Sequence, residues 1–268
     1  MKQLLKIKDK YVELSKGYID YEKFNNYHIT HHSTAIEGSS LSYQEIIMLL
    51  ENGIAPGNGK PFTHLLMAKD HLEALKYTLY LAERKEKLTI DTIQTISGMI
   101  LKNTGAQYQM MAGPFDATKG DFRKGGVHVG TRSFVNYSKV PDLVRELVDD
   151  INTEIDKSRN FVDNSRLAFD AHFQMVSIHP FADGNGRLSR LVMNYIQHYH
   201  GHPVTPVLAE DKTLYFEALE ETRNKQNPEI FRKFMFNEAL KYFSSEIQIM
   251  TRSQELKRTK GEGLSFLF

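Results

Sequence analysis

Apolar residues recur every three to four positions over most of this 268-residue chain, which is the period of an α-helix, and strand-like alternation is scarce. In the stretch 165–178 one helical face carries Ala168, Ala171, Met175 and Ile178. The stretch 186–200 repeats this pattern, and Gly201 follows it as a stop signal. The sequence therefore predicts a mainly α-helical protein.

Local signals mark several helix ends and one break. Ser42 and Glu45 form a capping box, which predicts a helix that starts near Ser42. Further helices are predicted near 65–85, at 89–102, after Pro141 and after Pro228. Between 104 and 139 six glycines interrupt the helical pattern, and the residues around Gly-Thr-Arg-Ser at 130–133 predict a small β-hairpin from Val127 to Val135.

Charge and composition exclude several classes of protein. The 34 basic residues nearly balance the 33 acidic ones, so the protein has no global field that would attract nucleic acid or an anionic membrane. The absence of cysteine excludes disulfides, thiolate metal sites and a cysteine nucleophile. No apolar run approaches the ~20 residues that a membrane helix needs, and the N-terminus lacks the apolar region of a secretory signal. We therefore expect a cytoplasmic protein that binds neither membrane nor nucleic acid.

The segment 179–190, with the sequence HPFADGNGRLSR, has the features of a polyanion site. Gly184, Asn185 and Gly186 directly precede a helix, where their backbone N–H groups converge at the positive end of the helix dipole. Arg187 and Arg190 lie on one face of the first turns of that helix, so both can reach the same anion. A triphosphate fits this arrangement better than a single carboxylate does.

Two further residues of this segment suggest chemistry. The carboxylate of Asp183 would be repelled by phosphates unless a divalent cation lay between them, and Mg²⁺ is the usual cation in nucleotide sites. His179, at the end of the preceding helix, is a candidate general base. Each residue alone is more often a turn, a cap or a core residue. About eight specified positions at roughly 5% each, however, make a chance match an event on the order of 10⁻⁸.

At these residues the sequence resembles the Fic family, whose signature is His-Pro-Phe-x-(Asp/Glu)-Gly-Asn-Gly-Arg-x-x-Arg, and 179–190 match it without departure. The resemblance implies a compact helical Fic-type fold with a small β-hairpin flap. It places a core domain at 90–245, an N-terminal helical region at 1–89 and a C-terminal tail at 246–268. The implied activity is the transfer of AMP from Mg-ATP to a Ser, Thr or Tyr hydroxyl of a target protein.

The resemblance also implies a role for each motif residue. His179 deprotonates the target hydroxyl, Asp183 holds Mg²⁺ and Phe181 anchors the loop in the core. The nucleotide phosphates are bound by Gly184, Asn185, Gly186, Arg187 and Arg190.

The hairpin at 127–135 corresponds to the family's flap, which holds the target backbone as an added strand. The flap residues expected to dock the target are Lys124, Val127 and His128. A plain surface hairpin is the alternative interpretation.

The segment 33–38 resembles the inhibitory signature of Fic proteins, (Ser/Thr)-x-x-x-Glu-(Gly/Asn). The resemblance implies that Glu37 pairs with Arg190 and takes the place of the γ-phosphate, so that ATP binds in a pose unfit for transfer. A solvated helix face is the alternative interpretation, because Ser-x-x-x-Glu is common on helices.

Three functional alternatives stay open. The protein could remove AMP from a modified target, with Glu37 orienting water, or it could transfer UMP or phosphate. It could also be a non-catalytic nucleotide-binding regulator, although the intact His179 argues against this. The sequence names neither the target nor the signal that releases Glu37, and it leaves open whether the protein forms homo-oligomers.

Other histidines and aromatic residues are weaker candidates. His198, His200 and His202 lie close enough in sequence to suggest a metal site, but a surface helix end is the simpler interpretation. Tyr215 and Phe216 are candidates for an adenine pocket, with core packing as the alternative. His31 and His32 lie near the inhibitory segment, where either could contact a nucleotide.

Overall fold

The computed structural model describes residues 1–18, 21–57, 59–129, 132–157 and 160–260. This part of the chain is mainly helical, as predicted, and contains ten α-helices. Their bounds are α1 Lys2–Ser15, α2 Tyr21–Ile36, α3 Tyr43–Asn52, α4 Phe62–Glu83, α5 Ile90–Ile100, α6 Val140–Ile155, α7 Phe161–Ile178, α8 Asn185–Tyr199, α9 Lys212–Lys225 and α10 Pro228–Lys260. Among these described helices, none combines the length and the apolar character needed to cross a membrane.

Helix α8 is the centre of the fold. It packs between α7 and α4, and nearly all of its side chains are buried. Its apolar residues include Leu188, Leu191, Val192 and Ile196, all fully buried. Burial of this many apolar side chains fixes the helix firmly, so residues at its first turn are held in a defined position.

The N-terminal helices attach to this core through a second cluster. Helix α1 packs along α10, and their contact contains Tyr11, Phe243 and Met250. The predicted capping box is present at the start of α3, where the N–H of Glu45 donates to Ser42 Oγ at 3.3 Å and the N–H of Ser42 donates to Glu45 Oε2 at 2.7 Å.

Helix α10 continues through residue 246, where the sequence analysis placed the start of a tail, as far as Lys260. Ile247 and Met250 are buried in the cluster with α1. The helix therefore extends past the expected start of the tail, because contacts with α1 bury Ile247 and Met250. Residues 261–268 lie outside the described residues.

Two small hairpins lie between α5 and α6. The predicted one consists of β3 (His128–Val129) and β4 (Arg132–Ser133), and its turn residues lie outside the described part of the chain. The other consists of β1 (Gln107–Met110) and β2 (Gly113–Asp116), and the sequence analysis missed it. Four-residue strands are too short to show alternation, and a stacked pair of rings, Tyr108 and Phe115, helps to hold this hairpin together.

Candidate functional site

His179 lies directly after α7 in the left-handed region of backbone conformation, at φ 54° and ψ 60°. Its N–H still donates to the carbonyl of Met175 at 3.1 Å, so it caps the helix. A left-handed conformation is uncommon for a residue other than glycine and costs on the order of 1 kcal/mol. Such strain is often found at functional sites, and here it turns the chain from α7 into the loop 180–184.

The side chain of Asn185 fixes the shape of this loop. Its Oδ1 accepts from the N–H of Phe181 at 3.0 Å, and its Nδ2 donates to the carbonyl of Phe181 at 2.9 Å. Phe181 is buried beside Phe122, as an anchor residue would be. The Asn185 side chain is thus used within the loop, and its backbone N–H is what remains available to a phosphate.

The first turn of α8 is open to an anion because of its glycines. Gly184 caps the helix with φ at +77°, a conformation that favours glycine. A Cβ at Gly186 would lie 2.5 Å from Oε1 of Glu37, so the missing side chain makes room for a carboxylate at this helix end. Helix α8 therefore begins with a space that a negatively charged group occupies.

Arg190 is held by the segment 33–38. Its side chain is only 3% exposed. Nε donates to Ser33 Oγ and Nη2 donates to the Ser33 carbonyl, both at 2.9 Å, and Nη2 also donates to Glu37 Oε1 at 2.6 Å. The structure thus brings together the two residues that the sequence analysis paired, although they are 153 positions apart.

Arg187 is the second buried cation of this cluster. Its Nη2 lies 3.5 Å from Asp183 Oδ2, and its Nη1 donates to the Ile100 carbonyl at 3.4 Å. Burial lowers the pKa of Arg187, whereas the carboxylates of Asp183 and Glu37 raise it. Within the described part of the chain, Arg187 Nε and Arg190 Nη1 are buried without acceptors. Buried donors of this kind favour an anionic ligand with several oxygens.

Asp183 fits a magnesium ion only together with phosphate oxygens. Its side chain is 65% exposed, and the described residues contain no cluster of three or more carboxylate or imidazole groups that could hold a metal by themselves. In nucleotide sites Mg²⁺ is commonly bound by one or two carboxylates, with phosphates and water completing its shell. An exposed carboxylate beside the anion cradle meets that requirement.

The flap covers His179. The ring of Phe134 stacks on the imidazole with a centroid distance of 4.0 Å. Burial lowers the pKa of His179 to about 4, and the cations Arg123, Arg132 and Arg223 add to this effect, while the Val176 carbonyl opposes it. The imidazole is therefore neutral at pH 7 and able to accept a proton.

The three predicted docking residues lie on the flap or beside it. Lys124 Nζ donates to the Pro114 carbonyl at 2.8 Å, and the carbonyl of Val127 accepts from the N–H of Phe134 at 3.2 Å. His128 is exposed, and its Nδ1 lies 3.0 Å from Ser133 Oγ.

Sequence reasoning missed Arg123, which connects the flap to the loop of His179. This buried guanidinium donates to the carbonyls of His179, Gly125 and Val135 at 2.7, 2.8 and 2.7 Å. Val135 ends the flap, and Gly125 lies two residues before its first residue, Val127. An arginine in a glycine-rich segment gives no local signal of burial, so only its contacts reveal this role. Phe134 was missed as a contact of His179 for the same reason.

The weaker candidates are distributed elsewhere. Tyr215 is buried with its hydroxyl 3.0 Å from His172 Nε2, as core packing requires, whereas Phe216 is exposed. His202 lies 3.1 Å from the amide of Asn164, and the histidines near 200 form no metal cluster within the described residues.

The histidines near the inhibitory segment are packed inside the protein. His32 accepts from the N–H of Ala209 at 3.0 Å, and burial lowers its pKa to about 2. Burial also lowers the pKa of His31. Neither residue is among the contacts found for Arg187 and Arg190.

The sequence of this chain is similar to those of known proteins. The family model described as the Fic/DOC family matches residues 87–197. The protein adenylyltransferase fic-1 of Caenorhabditis elegans is 30% identical over 190 residues, which cover 70% of this chain and 35% of that protein. The protein adenylyltransferase Fic of Nematostella vectensis is 30% identical over 200 residues, which cover 72% of this chain and 42% of that protein. The chain thus spans less than half the length of these relatives.

Solved structures show the same fold. A Fic-domain-containing signaling protein from Bacteroides thetaiotaomicron matches with a TM-score of 0.77 at 24% sequence identity, over 98% of this chain and 100% of that chain. The C. elegans Fic-1 fragment of residues 134–508 matches with a TM-score of 0.74 at 23% identity, over 94% of this chain and 73% of that chain.

Proposed function

The chain contains a domain of the Fic/DOC family, and on this premise we propose that it is a protein adenylyltransferase that transfers AMP from Mg-ATP to a Ser, Thr or Tyr hydroxyl of a target protein. The observation that carries the proposal is the pair of buried guanidinium groups at the start of α8, where Arg187 Nε and Arg190 Nη1 have no acceptor among the described residues, and the short loop before this helix begins at the neutral His179. The two relatives described above bear the name protein adenylyltransferase.

The proposed reaction is an in-line displacement at the α-phosphorus of ATP. A bond forms between the target oxygen and the α-phosphorus, the bond to the bridging oxygen of the β-phosphate breaks, and pyrophosphate leaves. His179 takes the proton of the attacking hydroxyl. The N–H groups at the start of α8, with Arg187 and Arg190, stabilise the charge that develops on the phosphate oxygens. Asp183 would hold Mg²⁺, which supplies further neutralisation of that charge.

The same geometry supports self-inhibition. The carboxylate of Glu37 accepts a hydrogen bond from Nη2 of Arg190 and fills the space beside Gly186. A γ-phosphate directed to Arg190 would compete with this carboxylate for the same donor and the same space. We therefore propose that Glu37 must move before ATP can bind in a reactive pose.

The test is to incubate the Glu37→Gly variant with ATP and Mg²⁺ and to measure the intact mass of the protein and of added lysate proteins. We expect an AMP-sized increment that exceeds the wild-type level, and none in the Glu37→Gly/His179→Ala double variant. An increment the size of phosphate, or no increment at all, contradicts the proposal. Loss of AMP from a previously modified target would indicate the reverse reaction.

A further inference from the structure

Arg132 and Arg223 approach His179 from two elements outside the segment 179–190. Arg132 lies on β4, and its guanidinium carbon is 4.8 Å from the centroid of the Phe134 ring. That ring stacks on His179. One aromatic ring therefore separates the Arg132 cation from the imidazole.

Arg223 approaches the same histidine from α9. Its Nε donates to Ser177 Oγ at 3.4 Å, and its guanidinium carbon is 5.4 Å from the centroid of the Phe173 ring. Ser177 and Phe173 belong to α7, the helix that ends at His179. The two arginines thus reach the proposed base from the flap and from the helical core.

Neither cation has an ionic partner in the part of the chain that the structure describes. Both are half-buried; the contacts found for them are the Phe134 ring for Arg132, and Ser177 and the Phe173 ring for Arg223. Burial, together with the positive charge of Arg132, lowers the pKa of Arg223 to about 10, and the carboxylate of Glu220 opposes this shift. The two groups therefore repel each other, and Glu220 compensates them only from a distance. Two half-buried guanidinium groups that repel each other favour the binding of a carboxylate or a phosphate between them.

The position of Arg132 favours the target over the nucleotide as the source of that anion. Arg187, Arg190 and the first turn of α8 already match the nucleotide phosphates. Arg132, by contrast, lies on the hairpin that would dock the target as an added strand. In an extended strand, residues two positions apart share one face and lie about 7 Å apart. A side chain two positions from the acceptor hydroxyl therefore faces the same way as the hydroxyl and reaches the surroundings of His179.

We propose that Arg132 and Arg223 form an acidic-residue subsite, which selects target segments that carry Asp or Glu two positions from the acceptor hydroxyl. This inference rests on the proposed transferase function and adds a substrate class to it.

The test compares synthetic peptides that contain one acceptor threonine and either Glu or Gln two positions before and after it. With the Glu37→Gly protein, kcat/KM for the Glu peptide should exceed that for the Gln peptide about five- to tenfold, because each carboxylate would gain a charge-assisted hydrogen bond near the surface. Arg132→Gln and Arg223→Gln should each reduce this ratio, because loss of the cation affects the Glu peptide more than the Gln peptide, whereas an altered pKa of His179 would change the rates of both peptides alike. Arg145→Gln, which changes an exposed arginine on α6, should leave the ratio unchanged.

Two kinetic results would overturn the proposal. The first is a Glu-to-Gln ratio near one. The second is a rise in the KM for ATP that is the same with every peptide in both arginine variants. Such a rise would mean that the two arginines bind the nucleotide. A binding measurement keeps the subsite separate from the proposed activity. Fluorescently labelled Glu peptide should bind the Glu37→Gly/His179→Ala protein more tightly than Gln peptide, whether or not transfer occurs, and equal affinities reject the subsite.

Discussion

Replacing Glu37 with glutamine removes the carboxylate that pairs with Arg190 but keeps the shape of the side chain. In the ligand-free protein this leaves a guanidinium that is only 3% exposed without its ionic partner. The same change removes the competitor that we expect ATP to displace. One substitution should therefore lower the stability of the ligand-free protein and raise its affinity for ATP.

The contacts of Arg190 set the expected magnitude. Removal of one partner of a fully buried ion pair costs about 3–5 kcal/mol. The loss should be smaller here because Ser33 still supplies two acceptors and the Glu37 side chain is 28% exposed. We expect a decrease of about 2 kcal/mol in the free energy of unfolding, which for a chain of this size lowers Tm by about 4–8 °C. If ATP no longer competes with the carboxylate, the same energy corresponds to an affinity gain of about thirtyfold.

Differential scanning calorimetry without nucleotide measures the first effect, and titration with Mg-ATP measures the second. Glu86→Gln is the matched control, because Glu86 pairs with Arg84 on the surface, where both side chains are more than 40% exposed. Pairs of this kind contribute little, so the control should match the wild type in both assays. A Glu37→Gln protein with the wild-type Tm and the wild-type ATP affinity would refute our interpretation of the Glu37–Arg190 contact.

Three further predictions follow from other contacts. The low pKa of His179, about 4, should appear in an NMR titration and place the acidic limb of kcat/KM near pH 4. In the unfolded chain this histidine binds its proton near pH 6.5, so the free energy of unfolding should decrease as the pH falls from 6.5 to 4. A His179 titration near pH 6.5 in the folded protein would contradict both expectations. Arg123→Met should speed amide hydrogen exchange in the flap, raise the pKa of His179 and lower kcat. Arg123→Lys should restore little, since one ammonium group cannot replace three directed donors. Flap exchange at the wild-type rate in Arg123→Met would show that Arg123 does not hold the flap. Gly120→Ala should destabilise the protein by about 2–4 kcal/mol in urea unfolding or prevent folding, because its Cβ would lie 1.8 Å from the carbonyl oxygen of Gln94. Gly53 has a similar positive φ but open space around it, so Gly53→Ala should cost only about 1 kcal/mol. Equal costs for the two variants would contradict the steric argument.

The fold class and the motif were accessible from the sequence because their signals are local. Helical periodicity and the capping box at Ser42 depend on residues a few positions apart. The spacing of Arg187 and Arg190 places both on one face of α8 for the same reason. The extension of α10 to Lys260 was missed, since that end of the helix is ordered by α1 rather than by its own pattern.

The role of Glu37 illustrates the boundary between the two sources of information. Its motif was visible in the sequence through the family resemblance, but Ser-x-x-x-Glu alone is equally compatible with a solvated helix face. Only the packing of α2 against α8 brings its carboxylate to Arg190 and into the space beside Gly186.

The sequence by itself determined most of the helices, the segment 179–190 and the residue types available for chemistry, because each of these is encoded within a few neighbouring positions. The tertiary structure decided which distant side chains meet. The hydrogen bond from Arg123 to the His179 carbonyl, the ring of Phe134 on His179 and the approach of Arg223 all join segments far apart in the chain. Such contacts depend on how buried surfaces fit together, and no local spacing records that fit.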